Sequence, residues 1–201
     1  MKKSILAIVA AGLAAAGSMR ADIIPTLDTI SATGAADFTW SYRATLTQDE
    51  NAIATGSNGG DYFTIYDFGG FIPGTNAQPA GWTFSFSLLG TTPPKVTPAD
   101  DPSIYNLTWH YVGGAGFPNE IVGPVNLGLF SAETTTDQLR LGEFAAEATK
   151  NTGPFSGTPV DNIGSVAIPI PEMSALLPMI GVCGLGAIGL ASSWWRRRAP
   201  R

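Results

Sequence analysis

The stretch Phe38–Leu46, FTWSYRATL, alternates apolar and polar side chains along its whole length. Its apolar phase consists of Phe38, Trp40, Tyr42, Ala44 and Leu46. Successive side chains of a β-strand point to opposite faces of a sheet, so this period of two indicates a strand. A strand with one apolar and one polar face is typical of antiparallel sheets that bury a single face.

Similar patterns recur on both sides of this stretch, separated by clusters of glycine and proline. Further strands are predicted over residues 62–68, 82–88, 106–111, 125–132, 138–149 and 162–168. The longest of these contains Gly142, at which we predict a β-bulge. About seven to ten antiparallel strands predict an all-β body, a β-sandwich or jelly-roll-like fold over residues 22–169.

Charge is distributed unevenly along the 201 residues. The span from Asp22 to Glu172 holds all 16 acidic residues and only four basic ones, a formal charge of −12. Nucleic-acid binding needs clustered lysine and arginine against the phosphates, so an acidic body of this kind excludes a nucleic-acid partner.

The N-terminal segment, residues 1–21, reads as a secretory signal helix. Lys2 and Lys3 precede an apolar run at residues 5–17, which is too short for a comfortable membrane span. The expected partners are the Sec translocon and signal peptidase. Cleavage after Ala21 would make Asp22 the new N-terminus, and cleavage after Ala16 or Ser18 is the alternative.

The C-terminal segment reads as a transmembrane helix with a basic end. Residues 174–195 carry no charge and are long enough to cross the lipid bilayer as a helix. Trp194 and Trp195 stand where an aromatic belt would meet the headgroups. The basic end, residues 196–201, begins with Arg196, Arg197 and Arg198. Cationic residues stay on the cytoplasmic side, so the body is expected on the outer side of the membrane.

Residues 170–201 resemble the PEP-CTERM sorting domain of Gram-negative bacteria. The resemblance rests on Pro171 and Glu172, the glycine-rich apolar span and the terminal arginines, while Met173 stands in place of the second motif proline. It implies recognition by an exosortase, cleavage near residues 171–173, and transfer of the body to the cell surface or the exterior. It also implies a transient or permanent anchor in lipid through the helix, and a role associated with exopolysaccharide or biofilm.

Few residues in the body suggest catalysis. His110 is the chain's single histidine, which excludes a multi-histidine metal site, and no GxSxG nucleophile motif accompanies it. Carboxylates in loops or at strand ends are the candidates for a glycosidase pair or for calcium. They are Asp61, Asp67, Asp100 and Asp101. The simpler interpretation is that they cap turns, so we expect no enzyme activity, no cofactor and no metal site.

The aromatic residues allow two interpretations. Trp40, Tyr42, Trp82, Trp109 and Tyr111 lie on the apolar phase of their strands, which predicts core packing, while a sugar-stacking platform is the alternative. Tyr66, Phe71 and Phe117 lie near loops. The single cysteine, Cys183, lies in the apolar tail, so no disulfide can form within the body.

Together these features predict an exported, non-enzymatic surface or matrix protein. The first alternative is a secreted module that binds carbohydrate or depends on calcium. The second is a secreted hydrolase that uses a carboxylate pair.

Overall fold

The computed structural model describes residues 22–55 and 59–170, which form ten β-strands and one short 3-10 helix at Gly153–Phe155. The strands are β1 Ile23–Ala32, β2 Phe38–Leu46, β3 Glu50–Ile53, β4 Tyr62–Ile65, β5 Trp82–Ser87, β6 Asn106–Tyr111, β7 Glu120–Val122, β8 Val125–Thr134, β9 Leu139–Lys150 and β10 Pro159–Pro169. The predicted all-β character of the body is thereby confirmed.

The strands form two antiparallel sheets. The smaller sheet has the order β1-β2-β8, and the larger has the order β5-β6-β4-β9-β3-β7. Strand β10 pairs with the other edge of β9 along nearly its full length. Strands β4 and β3 share one edge of β9, β4 opposite residues 144–147 and β3 opposite residues 149–150. The two sheets enclose one core and form a sandwich-like body.

Within these described residues no helix is long and apolar enough to span a membrane. The predicted signal helix, residues 1–21, and the predicted membrane helix, residues 174–195, lie outside them.

Aromatic rings from both sheets fill the core. Phe63 of β4 stacks on Trp109 of β6 at 5.1 Å between ring centroids and meets Phe130 of β8 edge-on at 5.0 Å. Trp82 of β5 also meets Phe130 edge-on, at 5.0 Å. Such stacked and edge-to-face pairs add stabilisation beyond the area they bury, so this cluster joins the two sheets.

Strand β2 behaves as its alternation predicts. Trp40, Tyr42, Ala44 and Leu46 are fully buried in the core. The Trp40 Nε1 donates a 3.0 Å hydrogen bond to the Thr136 carbonyl, and the Tyr42 hydroxyl donates one of 2.9 Å to the Ala167 carbonyl. Each aromatic ring therefore buries its apolar surface while its polar atom keeps a hydrogen-bond partner.

The outer face of the larger sheet is covered where the sequence predicts a wet face. All four residues of β4 are buried, and on β6 the polar residues Asn106 and Thr108 are buried as well. Residues 88–105, here called the covering loop, lie over this face. The Thr64 hydroxyl donates to the Thr91 carbonyl at 2.8 Å and lies 2.9 Å from the Thr108 hydroxyl. The loop thus provides hydrogen-bond partners for Thr64, Tyr66 and Asn106 on this face.

The apolar–polar alternation of the sequence missed three of the strands. The β-bulge that was predicted at Gly142 is also wrong. Strands β1, β3 and β7 were not expected. The register of β9 on β10 is continuous through Gly142, which lies opposite Val166. A Cβ at Gly142 would lie 2.7 Å from the Ile168 Cγ1, so this glycine permits a close approach rather than a bulge. Register shifts occur instead in β1, between Leu27 and Thr29, and in the pairing of β2 with β8.

Candidate functional site

Most of the residues predicted for processing lie outside the described part of the chain. These are Ala21 at the signal cleavage site, the sorting motif Pro171, Glu172 and Met173, and the basic cluster Arg196, Arg197 and Arg198. Asp22, the predicted mature N-terminus, is described and lies fully buried directly before β1.

Three of the four candidate carboxylates come together beside the covering loop. The Asp101 backbone N–H donates to Asp67 Oδ1 at 2.8 Å, and the Arg140 guanidinium lies 3.4 Å from Asp67 Oδ2. Asp100 accepts hydrogen bonds from the Gly90 N–H at 3.0 Å and the Asn106 Nδ2 at 2.9 Å. These carboxylates hold the two ends of the covering loop together.

Asp101 caps a turn at the surface. Its Oδ1 accepts hydrogen bonds from the Ser103 N–H at 2.9 Å and the Ser103 hydroxyl at 2.7 Å. These two bonds hold the pKa of the Asp101 carboxyl below its ordinary value.

Asp67 also lines a pocket of about 270 Å³ beneath the covering loop. Arg140, Leu141, Glu143 and Ser165 form most of its wall. The Ala99 N–H donates to Glu143 Oε2 at 2.6 Å, and Arg140 is paired with Asp67, so the charged groups of the wall already have partners. The pocket could therefore offer polar contacts to a small molecule, but Asp67, Arg140 and Glu143 in its wall are already engaged with protein partners.

His110 lies in a row of polar side chains across the larger sheet. Register places Thr83, His110, Tyr62, Glu147 and Asp161 side by side on successive strands. The half-buried His110 ring packs 4.9 Å from the Tyr62 ring. Burial lowers the pKa of His110 below its ordinary value, which favours the neutral imidazole at pH 7. His110 thus lies within the sheet, between Thr83 of β5 and Tyr62 of β4.

Asp61, the fourth candidate, belongs to a different group. It is almost fully buried, and its carboxylate accepts hydrogen bonds from the Ile53 N–H at 2.9 Å and the Thr149 hydroxyl at 3.3 Å. Burial raises the pKa of Asp61 from its ordinary value of 3.8 to about 7, and the charges of Glu147 and Glu50 add to the rise.

Five carboxylates interact electrostatically in this part of the sandwich, and we call them the buried carboxyl cluster. They are the buried Asp22, Glu50, Asp61 and Glu147 and the half-buried Asp161. Burial raises the pKa of Asp22 well above its ordinary value, and the charges of Glu50, Asp61 and Asp161 raise it further. Burial also raises the pKa of Glu50, although Lys150 opposes the change from 3.3 Å. Charge in this cluster is therefore unfavourable unless a cation compensates it.

Several polar atoms of the cluster lack a hydrogen-bond partner although they are buried. They include Asp22 Oδ2, Glu50 Oε2 and Asp161 Oδ1, and the neighbouring Tyr62 hydroxyl is also without a partner. Buried polar groups in folded proteins are nearly always paired, so each exception calls for an explanation.

A calcium site formed by the predicted carboxylates is not assembled. Within residues 22–55 and 59–170, no three histidine, cysteine, aspartate or glutamate residues are grouped so that they could hold a metal ion. Asp61 lies with the buried carboxyl cluster, whereas Asp67, Asp100 and Asp101 serve the covering loop.

The aromatic residues predicted for the core are there, and a sugar-stacking platform made of them is excluded by burial. Trp40, Tyr42, Trp82, Trp109 and Tyr111 are all buried in the core cluster. Tyr66 is buried too, and its hydroxyl contacts the Thr91 carbonyl at 2.8 Å. Of the three aromatic residues that the sequence places near loops, Tyr66 and Phe71 are buried and Phe117 is exposed.

A different set of aromatic rings reaches the surface. Phe71, Phe84, Phe86 and Tyr105 form what we call the edge aromatic cluster. Phe86 lies 5.1 Å from Phe71 and 5.3 Å from Tyr105, and Phe86 and Tyr105 are 41% and 38% exposed. Phe86 lies on the apolar phase of β5, but β5 is an edge strand, so its far end extends beyond the core.

Comparison of the chain with known proteins finds no matching family model, no similar curated protein and no similar solved structure.

Proposed function

We propose that this chain is an exported surface or matrix protein of a Gram-negative bacterium, sorted through its C-terminal tail. A signal helix at residues 1–21 directs it through the Sec translocon, and signal peptidase removes that helix. The membrane helix at residues 174–195 then anchors the chain in lipid until an exosortase acts on the tail. The body reaches the cell surface or the surrounding exopolysaccharide without catalytic activity of its own.

The observation that carries the proposal is the sequence of the last 32 residues, taken with the position of the last strand. The Ile170 N–H donates to the Gln138 carbonyl at 2.9 Å, and the Gly69 N–H donates to the Pro169 carbonyl at 3.3 Å. The sandwich is thus fastened up to Ile170, and Pro171 of the sorting motif follows at once. A cut near the motif would leave the sandwich intact.

The composition of the body does not argue against export. It contains no cysteine, and its stability comes from aromatic packing and sheet hydrogen bonds, so it needs no disulfide chemistry. The strongly acidic body and the basic residues at both ends of the chain agree with a single topology across the inner membrane.

The test is replacement of the motif residues in a host that carries the sorting enzyme. The double variant P171A/E172A is compared with the wild type and with D137A, which changes one exposed charge in the body. We expect the wild type and D137A outside the inner membrane, and the double variant within it with its tail uncut. An unchanged distribution of the double variant would contradict the proposal.

The edge aromatic cluster favours a second candidate function, carbohydrate binding by the same body. Exposed rings that lie close together can stack against the apolar faces of sugars, and the serine hydroxyls of β5 lie on the same strand. A glycan array, with and without calcium, tests this with F86A and Y105A. The control is L139A, which removes an exposed apolar side chain elsewhere. Binding that is absent in wild type, or equal in all variants, would exclude it.

A further inference from the structure

The backbone of Asp22 is held tightly at the start of the sandwich. Its N–H donates to the Thr47 hydroxyl at 2.7 Å, and its carbonyl accepts from the Thr47 N–H at 3.1 Å. Asp22 has no exposed surface, and its own Oδ1 accepts from the Ile23 N–H at 2.6 Å. The nitrogen of this residue is therefore fixed inside the protein, next to the turn between β2 and β3.

Two buried carboxylate oxygens in this part of the protein have no hydrogen-bond partner. Asp22 Oδ2 has no hydrogen-bond partner, and neither has Oε2 of Glu50, which lies three residues after Thr47 and is also fully buried. A peptide nitrogen has one hydrogen to donate, and the Thr47 hydroxyl already accepts it. A free α-ammonium has three hydrogens, so it could also supply one to each of the two unpartnered oxygens.

The two unpartnered oxygens belong to carboxylates, which a cation would stabilise. Lys150 Nζ lies 3.3 Å from Glu50 Oε1, whereas Glu50 Oε2 and Asp22 Oδ2 have no hydrogen-bond partner. Uncompensated buried carboxylates destabilise a fold, whereas a correctly placed cation turns them into charge-assisted hydrogen bonds.

We propose that the α-ammonium of Asp22, released when the bond between Ala21 and Asp22 is cut, is the counter-ion of the buried carboxylates of Asp22 and Glu50. This inference rests on the proposed export and names the bond at which the signal helix is removed. The ammonium donates to the Thr47 hydroxyl, to Asp22 Oδ2 and to Glu50 Oε2. Removal of the signal helix therefore supplies the positive charge that these buried carboxylates lack.

The cleavage step is a simple hydrolysis. Water adds across the peptide bond, the Ala21 carbonyl carbon becomes a carboxylate, and the Asp22 nitrogen takes up the released proton as an ammonium group. The α-amino group has an ordinary pKa of about 7.7 to 8.0, so it is mostly protonated at pH 7. Because Asp22 is buried in the folded sandwich, the peptidase must cut before β1 packs against the turn at Thr47.

The first experiment reads and labels the N-terminus of the chain purified after export from a bacterial host. Intact mass is expected to place the N-terminus at Asp22. Acetic anhydride is expected to label the α-amine at least about tenfold more slowly in the folded chain than in urea, because the ammonium is buried and paired. Lys95, which is exposed, serves as the control and should react at similar rates in both states.

The second experiment displaces the α-ammonium and leaves the sequence of the body unchanged. The chain from Asp22 to Arg201, released from a cleavable fusion into detergent, is compared with the same chain carrying one extra glycine before Asp22. The extension displaces the ammonium and restores an ordinary peptide nitrogen at Asp22. We expect the urea midpoint to fall by at least about 1 M.

Equal midpoints of the two chains, or equal labelling of the α-amine in the folded and unfolded states, would overturn the inference. An N-terminus at another residue would also overturn it, while leaving export and sorting intact. A chain that keeps residues 1–21 and is not exported would instead contradict the proposed function.

Discussion

Replacing Asp61 by asparagine should make the protein more stable at alkaline pH. Asparagine has nearly the same shape and can keep both hydrogen bonds of the carboxylate. Its oxygen can accept from the Ile53 N–H, and its amide can donate to the Thr149 hydroxyl, which lies 3.3 Å from Oδ1. The substitution therefore removes a titrating charge with little other change.

The magnitude follows from the pKa of Asp61, which burial raises from 3.8 to about 7. An unfolded chain loses this proton near pH 3.8, whereas the folded protein keeps it to about pH 7. The stability that the protonated group contributes is complete below pH 3.8 and is lost as the pH rises through 7. About three pH units at 1.36 kcal/mol each give a loss of about 4 kcal/mol, which asparagine avoids.

Urea unfolding followed by tryptophan fluorescence is a suitable assay, because Trp40, Trp82 and Trp109 are all buried. The chains carry the extra glycine before Asp22, so that no α-ammonium lies at the cluster. We expect wild type and D61N to be equally stable near pH 4 and D61N to be more stable by up to about 4 kcal/mol at pH 8. In a chain that begins at Asp22, D61N should gain less stability at pH 8, because the α-ammonium already offsets part of the negative charge near Asp61.

The matched control is D137N, which removes the same charge from an exposed carboxylate. At pH 8 it should match wild type to within about 0.5 kcal/mol, because substitutions of exposed side chains change stability little. If D61N and wild type had the same pH dependence, the carboxyl of Asp61 would not be held protonated by burial, and the account of the cluster would be refuted.

Three further predictions concern the core. F63A should lower the free energy of unfolding by about 3–5 kcal/mol, because Phe63 contacts rings from both sheets; a loss under about 1 kcal/mol in urea unfolding would contradict its central place. G164A should cost about 1–3 kcal/mol, since its Cβ would lie 2.6 Å from the buried Phe144 ring, and an unchanged melting temperature would argue against that contact. W40F should lower the free energy of unfolding by about 1–3 kcal/mol, because it leaves the Thr136 carbonyl without the 3.0 Å hydrogen bond from Trp40. Calorimetry that shows the same unfolding transition as wild type would contradict that bond.

The alternation of apolar residues predicted β2 because every second side chain of that strand packs in the core. It did not predict β1, where Pro25 and a register shift after Leu27 interrupt the period. It predicted one wet face for residues 62–68, but the covering loop buries the outer face of β4 while the core buries the inner one, and the strand ends at Ile65. Periodicity reports the local direction of side chains, and it cannot report which distant loop covers them.

The buried carboxyl cluster was the least predictable part of the molecule. Asp61 was a candidate because it lies in a loop at a strand end, but its carboxylate is held by Ile53, eight residues away, and by Thr149, 88 residues away. Glu50 is buried by contacts with β9, a hundred residues away at Lys150. Acidic residues at turns and on polar phases give no local sign that tertiary packing will bury them.

The edge aromatic cluster contains an apolar residue whose exposure the sequence pattern does not predict. Phe86 has the pattern of a core residue, yet it is 41% exposed because it lies at the end of an edge strand. Strand order is set by long-range pairing, so the sequence alone does not distinguish an apolar residue of a central strand from one at an edge.

The most direct test of the account is the intact mass and location of the protein in a native-like host, with and without its sorting enzyme. The account predicts a body that starts at Asp22, ends near Pro171 and lies outside the inner membrane only when the enzyme is present. A full-length tail held in the inner membrane in both strains would contradict it.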